Sequence, residues 1–358
     1  MFVLTLLFLS FNPDNNWQLE DPELFNDVFV LQVGLNDAGI YILNTSGYCV
    51  QHYDYSGKKI RTFGKRGDGP GEFREPYFLQ VLPNQVVVYE LNRAHEFNNS
   101  GKLMHTTKFP VGNSQIKRVK HGWLGIENLL DRYNDKPINV LFYKGSTKKN
   151  ICEIERMQTF DDKIDNTDRS IRYNPTIDYG DFFVDLTGQY AYIRVPGSTN
   201  VFVFDSNIED ILLSFEIPGK PIKFNKDWGN MRLETMNKLN KNKYVANFPA
   251  YFPVVARMNR TIYNEINVLK YTPLPSTSSG ESNLDILPLT LLGQERNMKQ
   301  SDTELFMRRS VGIHNNYIYW IAYDDESDSY TIKRTEKSKF TQSILLENRL
   351  PAFCRDFN

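Results

Sequence analysis

Two segments of this chain repeat one turn. CVQHYDYSGKKIRTF (49–63) and AHEFNNSGKLMHTTKF (94–109) each place an aromatic residue, an Asp or Asn, one further residue and then Ser-Gly-Lys. Gly57 and Gly101 stand 44 residues apart. The chemistry is that of a tight turn, since an Asx side chain bonds its own backbone two residues on and glycine takes positive φ. Short alternating runs flank the turns. DVFVLQVGLND, GIYILNTSG, YCVQHYDYSG and KKIRTFG follow one another in the first copy, each of strand length and each ended by turn residues. Such a series describes four antiparallel strands in a meander. NVFVFDSNIEDILLSF (200–215) repeats the aromatic-Asp-Ser turn without the glycine.

A repeat of about 40–50 residues with four strands in each is the signature of a propeller blade. Spacing places six blades near 25–64, 75–110, 116–156, 178–218, 242–305 and 306–348. The expected fold is all-β: one six-bladed β-propeller over 21–358, four antiparallel strands per blade, after a lead-in over 1–20. PLPSTSSGESNLDILPLTLLGQERNMKQ interrupts the fifth blade and predicts an insertion near 273–300. Residues 157–177 read as a second irregular connection. Composition agrees, because the 24 Phe and 20 Tyr favour pleated, half-buried surfaces. The best helical candidate is Asn225 to Lys243, and its apolar spacing is poor.

SGKKIRTFGKRGDGPGEFREP resembles the strand-and-linker signature of NHL-repeat propellers. It is similar also to the bacterial six-bladed, TolB-like propellers of the cell envelope. Gly57, Phe63, Gly64, Gly67, Gly69, Pro70, Gly71, Phe73 and Pro76 carry the match, which is specific over 40–110. The resemblance implies the fold and a periplasmic, cell-surface or secreted location, and it implies no particular activity. The bulk of the loop has a structural reading. Gly64, Gly67, Gly69 and Gly71 permit turns, Pro70 and Pro76 stiffen the path, and Phe73 anchors it between blades. A phosphate cradle needs GxxxxGK[ST] ahead of a helix, which this loop lacks. Arg66-Gly67-Asp68 reads as a chance tripeptide.

The N-terminus, MFVLTLLFLSF, is apolar from Phe2 to Leu9 apart from Thr5. Its length suits the core of an export signal and is too short for a spanning helix. A basic n-region, a cleavage site and a lipobox cysteine are missing, so the signal reads as incomplete. No other segment approaches transmembrane length. The net charge of −1 excludes a global attraction to nucleic acid or anionic membranes. Cys49, Cys152 and Cys354 offer no zinc spacing, and a Cys49–Cys152 bridge stays open beside free thiols. The five His are scattered, without HExxH, and no GxSxG elbow is present.

Two functional expectations follow. The first is a non-enzymatic propeller that binds a protein or carbohydrate through one face of the ring, with no cofactor. Its leading segment is NFPAYFPVVARMNR, where Phe248, Tyr251 and Phe252 surround prolines beside Arg257. The alternative is a metal-dependent hydrolase or lyase. Related propellers hold a divalent ion in the channel with Glu, Asn and Asp from separate blades. Glu127, Asn128, Asp185 and Asn247 are the candidates here, and oxygen ligands suit Ca²⁺.

Overall fold

In the computed structural model the chain is described at residues 17, 19–20, 31–109, 115–128, 137–155, 171–173, 180–220, 222–223, 226–239, 244–246, 251–252, 255–260, 266–271, 284–289, 310–324 and 329–336. It is all-β, built from antiparallel sheets of the propeller-blade type. The first sheet is β1 (Leu31–Asn36), β2 (Gly39–Asn44), β3 (Cys49–Tyr53) and β4 (Lys59–Phe63), each hydrogen-bonded to the next. The second is β5 (Phe78–Leu82), β6 (Gln85–Glu90), β7 (Arg93–Asn98) and β8 (Leu103–Lys108). The third is β9 (Gln115–Val119), β10 (Gly122–Glu127), β11 (Ile138–Lys144) and β12 (Thr147–Ile154).

A short strand, β13 (Ile171–Tyr173), precedes the fourth sheet of β14 (Asp181–Val184), β15 (Tyr190–Arg194), β16 (Asn200–Asp205) and β17 (Asp210–Glu216). After it come β18 (Ile222–Lys223), α1 (Lys226–Leu239), β19 (Tyr244–Ala246) and β20 (Tyr251–Phe252). Two three-stranded sheets follow: β21 (Val255–Arg260), β22 (Ile266–Tyr271), β23 (Leu284–Leu289), and β24 (Ser310–His314), β25 (Tyr317–Asp324), β26 (Ser329–Glu336). Five of these six sheets fall inside the spans expected from spacing, and the third begins one residue early, at Gln115. Three features refine that reading. β23 lies within the expected insertion and pairs with β22. The weak helical candidate does form α1. The irregular connection at 157–177 contributes β13, which pairs in parallel with β19.

The repeated turn owes its form to one hydrogen-bond scheme used twice. Asp54 Oδ1 accepts from the N–H of Ser56 at 2.9 Å and of Lys58 at 3.0 Å. Asn98 Oδ1 accepts from the N–H of Ser100 at 3.0 Å and of Lys102 at 2.9 Å. Gly57 (φ 93°) and Gly101 (φ 71°) follow in the left-handed region.

The chain divides into two compact units, Met1–Thr107 with Leu305–Arg355, and Lys108–Glu304 with the last three residues. In the first unit β2 is buried on both faces. Tyr41 and Leu43 pack with Val81, Val86, Val88 and Phe97 of the second sheet. Ile40 and Ile42 point the other way and pack with Tyr319 and Ile332 of the last sheet. Alternation along one strand thus joins three sheets face to face. Leu19 belongs to the same cluster, and Trp17 donates its indole N–H to Tyr55 O at 3.1 Å. The second unit repeats the logic with β15. Ala191 and Ile193 pack against the third sheet, while Tyr192 joins Val255 of β21. Cys49 and Cys152 do not form a disulfide with each other.

Candidate functional site

The loop from β4 to β5 is bonded to itself and to the strands around it. Gly64 (φ 84°) turns the chain off β4, and a Cβ there would stand 2.2 Å from the Phe73 ring. Phe73 is fully buried and meets His95 and Phe97 edge-on, with ring centroids at 5.4 and 5.9 Å. Between these points the loop bonds to itself. Phe73 N–H donates to Lys65 O at 2.8 Å, Gly67 N–H to Phe73 O at 3.0 Å, and Gly69 N–H to Glu72 Oε2 at 2.8 Å. Lys65 pairs with Glu72 at 3.1 Å. The Gly69 amide foremost, then Lys65, holds the Glu72 carboxyl below its usual range.

This fold absorbs the Arg-Gly-Asp tripeptide. Arg66 lies over the Tyr48 ring at 5.1 Å. Asp68 pairs with Arg74 and stands 3.7 Å from Arg93.

The far end of the loop is held by Glu90, the last residue of β6. Its Oε1 accepts the N–H of Arg74 and, at 3.2 Å, of Glu75. Its Oε2 pairs with Arg93. Burial alone would push this carboxyl up, but the Arg93 pair and the Arg74 amide outweigh it and the group lies below its usual range. His95 completes the cluster. Its Nδ1 is 3.1 Å from Thr106 Oγ1, and its Nε2 is 3.6 Å from Glu90 Oε2. Burial foremost holds the imidazole below its ordinary value.

Antiparallel pairing brings the end of this loop beside the β6–β7 turn, since Tyr77 N–H donates to Tyr89 O at 3.0 Å. Two large apolar side chains stand out of the protein there: Leu91 is 77% exposed and Tyr77 is 58% exposed. The arrangement is a rim of apolar groups carried on a buried ionic clamp. It can present a surface; no reacting atoms are brought together by it.

The residues singled out from sequence are placed elsewhere. Phe248 and Asn247 lie outside the described residues. Tyr251 and Phe252 form β20, opposite Lys223 and Ile222 of β18, and Arg257 is opposite Leu269 within the fifth blade sheet. Glu127 ends β10 and pairs with Lys148 at 3.3 Å. Asn128 adopts φ 67° and donates to Pro137 O at 3.0 Å. Asp185 is buried and accepts from Thr187 Oγ1 at 2.5 Å and Tyr190 N–H at 2.9 Å, so its carboxylate closes the β14–β15 turn. Among the described residues no three His, Cys, Asp or Glu side chains gather as a metal site. Glu90, Arg93 and His95 were not foreseen as a group; their only sequence signal is a charged residue ending an otherwise apolar strand.

No protein-family model matches the chain, and no curated protein is similar to it in sequence. Solved structures similar to it include a Bacteroides fragilis protein assigned as exported, at 12% identity over 88% of this chain and 92% of that one, with a TM-score of 0.47. A duf4221 family member from Bacteroides vulgatus follows at 11% identity, 89% and 96% coverage and a TM-score of 0.46. Streptogramin B lyase aligns at 9% identity, 89% and 85% coverage and a TM-score of 0.42. The fold assignment rests on the sheets themselves.

Proposed function

We propose that this chain is a non-enzymatic recognition propeller, with six blades closed into one ring of the NHL or TolB-like kind, exported to the bacterial envelope. Its partner is a protein, bound at the end of the second sheet where the β4–β5 loop meets the β6–β7 turn. One observation carries the reading: Leu91 and Tyr77 are left exposed on a backbone that is itself fixed by the buried Glu90. A preorganised loop loses little entropy on binding, and a few anchors, tyrosine prominent among them, supply most of the energy of a protein interface. Export is supported by the apolar run from Phe2 to Leu9.

The test is capture from a bacterial envelope extract by the immobilised protein, with Leu91→Asp/Tyr77→Ala compared against Tyr251→Ala/Phe252→Ala. The first pair is expected to abolish capture of a defined protein without lowering the thermal midpoint. Capture lost only with the second pair would move the site to the segment around β20. Retention on a glycan column instead would make the partner a carbohydrate. Stoichiometric Ca²⁺ binding by calorimetry, together with ester or lactone hydrolysis, would replace the reading by the enzymatic alternative.

A further inference from the structure

We infer that the β4–β5 loop is released in acid, with His95 as the proton acceptor and Glu90 as the group that lets go. The inference supplies a regulation for the recognition surface proposed above and rests on that reading for its use, but it is a statement about the loop and is tested on the loop.

The geometry places one carboxylate between two duties. Glu90 Oε1 holds the amides of Arg74 and Glu75, and Oε2 faces both Arg93 and His95. The 3.6 Å from His95 Nε2 to Oε2 is longer than a hydrogen bond, and Nε2 has no hydrogen-bond partner among the described residues although the ring is buried. Among the described residues, three elements bring charged or polar groups to the ring. β6 contributes Glu90, β7 contributes Arg93, and β8 contributes the Thr106 hydroxyl. The loop brings the Phe73 ring, and behind Arg93 stands Asp68, which is already paired with Arg74. Glu96, next along β7, points to the opposite face of the strand.

At neutral pH the imidazole is uncharged, because burial disfavours its cation. Protonation puts a second buried cation beside Arg93, with Glu90 as the single carboxylate within reach of both. The imidazolium, a charged donor at both nitrogens, draws Oε2 toward Nε2 to form the missing hydrogen bond. That rotation takes Oε1 from the Arg74 and Glu75 amides. Phe73, the loop's other anchor, sits edge-on against the same ring and loses its neutral neighbour. The end of the loop that carries Tyr77 is therefore freed, while the loop's bonds to itself persist.

Amide hydrogen exchange by NMR reads this directly, as protection factors corrected for the intrinsic effect of pH. In the full chain, protection of the Arg74 and Glu75 amides is expected to fall about tenfold relative to Ile42 between about pH 7.5 and about pH 5. In His95→Gln and His95→Asn, which cannot charge, the ratio should stay flat. Two substitutions are used so that one poorly folded variant does not decide the matter, and the His95 ring proton of the unaltered protein is titrated in parallel. An equal fall in the variants overturns the inference, as does a flat response in the unaltered protein. So does a loop response whose midpoint departs from that of the His95 ring. None of these readouts involves a partner, so failure here is distinct from failure of the capture experiment.

Discussion

The second and fourth sheets each bury a charge at the end of their second strand, with opposite signs. Glu90 ends β6, and Arg194 ends β15. Glu90 faces the amides of an incoming loop and accepts from them. Arg194 faces the turn that follows its own strand and donates to Ser198 O at 3.3 Å. Arg93 is a counter-charge for Glu90, and Asp181 is one for Arg194, whose Nε and Nη2 both lie 2.6 Å from Oδ2. The polarity of the backbone presented at the end of the sheet decides the sign of the buried side chain. Asn44 ends β2 in the same position and accepts from Gly47 N–H at 2.6 Å. A strand end here is a joint, and its side chain is chosen by the loop it holds.

The comparison can be broken most readily at Arg194. Arg194→Met takes an ion-pair partner from the buried Asp181, and about 3–5 kcal/mol of stability should be lost in urea denaturation. Adding Asp181→Leu should restore most of it; a single substitution costing no more than a surface change would show that the pair is solvated. At the other joint, Gly64→Ala forces a Cβ into the Phe73 ring at positive φ, with an expected loss of about 2–4 kcal/mol. Glu90→Gln keeps the shape and removes the charge, so about 1.5–3 kcal/mol should go, together with exchange protection at Arg74. Little change would mean that Phe73 alone seats the loop.

A pH scan sharpens the contrast further, since the fourth-sheet joint contains no histidine. Burial foremost lowers both His95 and His52 in the folded protein. As pH falls below about 6.5 the unfolded chain takes up these protons first, so stability declines from there down to the lowered folded values. The thermal midpoint should drop between about pH 7.5 and about pH 5.5, and by less in His95→Gln. The smallest effects belong to the repeated turn. Asp54→Ala and Asn98→Ala remove the same pattern of bonds and should each cost about 1 kcal/mol, Asp54→Ala somewhat more because its acceptor is charged.

Much of this architecture was legible in the chain. The turns at Asp54 and Asn98 revealed the period because both the side chain that bonds the backbone and the glycine are local requirements. The strands around them alternate for a local reason too. The joints were not legible. A Glu or Arg at the end of an apolar run reads as a solvated residue, and only the arrival of a loop distant in sequence makes it buried. Glu127 was noticed as a metal ligand candidate on its residue type; it occupies the same strand-end position and pairs with Lys148. The pairing of β13 with β19 is illegible for the same reason, since three-residue strands leave no periodicity to count.

That pairing has a consequence for how the second unit comes into being. Ile171, Arg172 and Tyr173 lie in register beside Tyr244, Val245 and Ala246, in parallel, with the whole fourth sheet, β18 and α1 spooled out between them. The fourth sheet is thus a closed excursion from the main path, fastened at its neck. A flexible loop of that length has a large closure entropy, and two three-residue strands cannot offset it alone. The expected order is then that the clasp closes after the excursion has folded. The blade does not hang from the neck alone, because the fourth sheet also packs on the third sheet and on Val255 of β21.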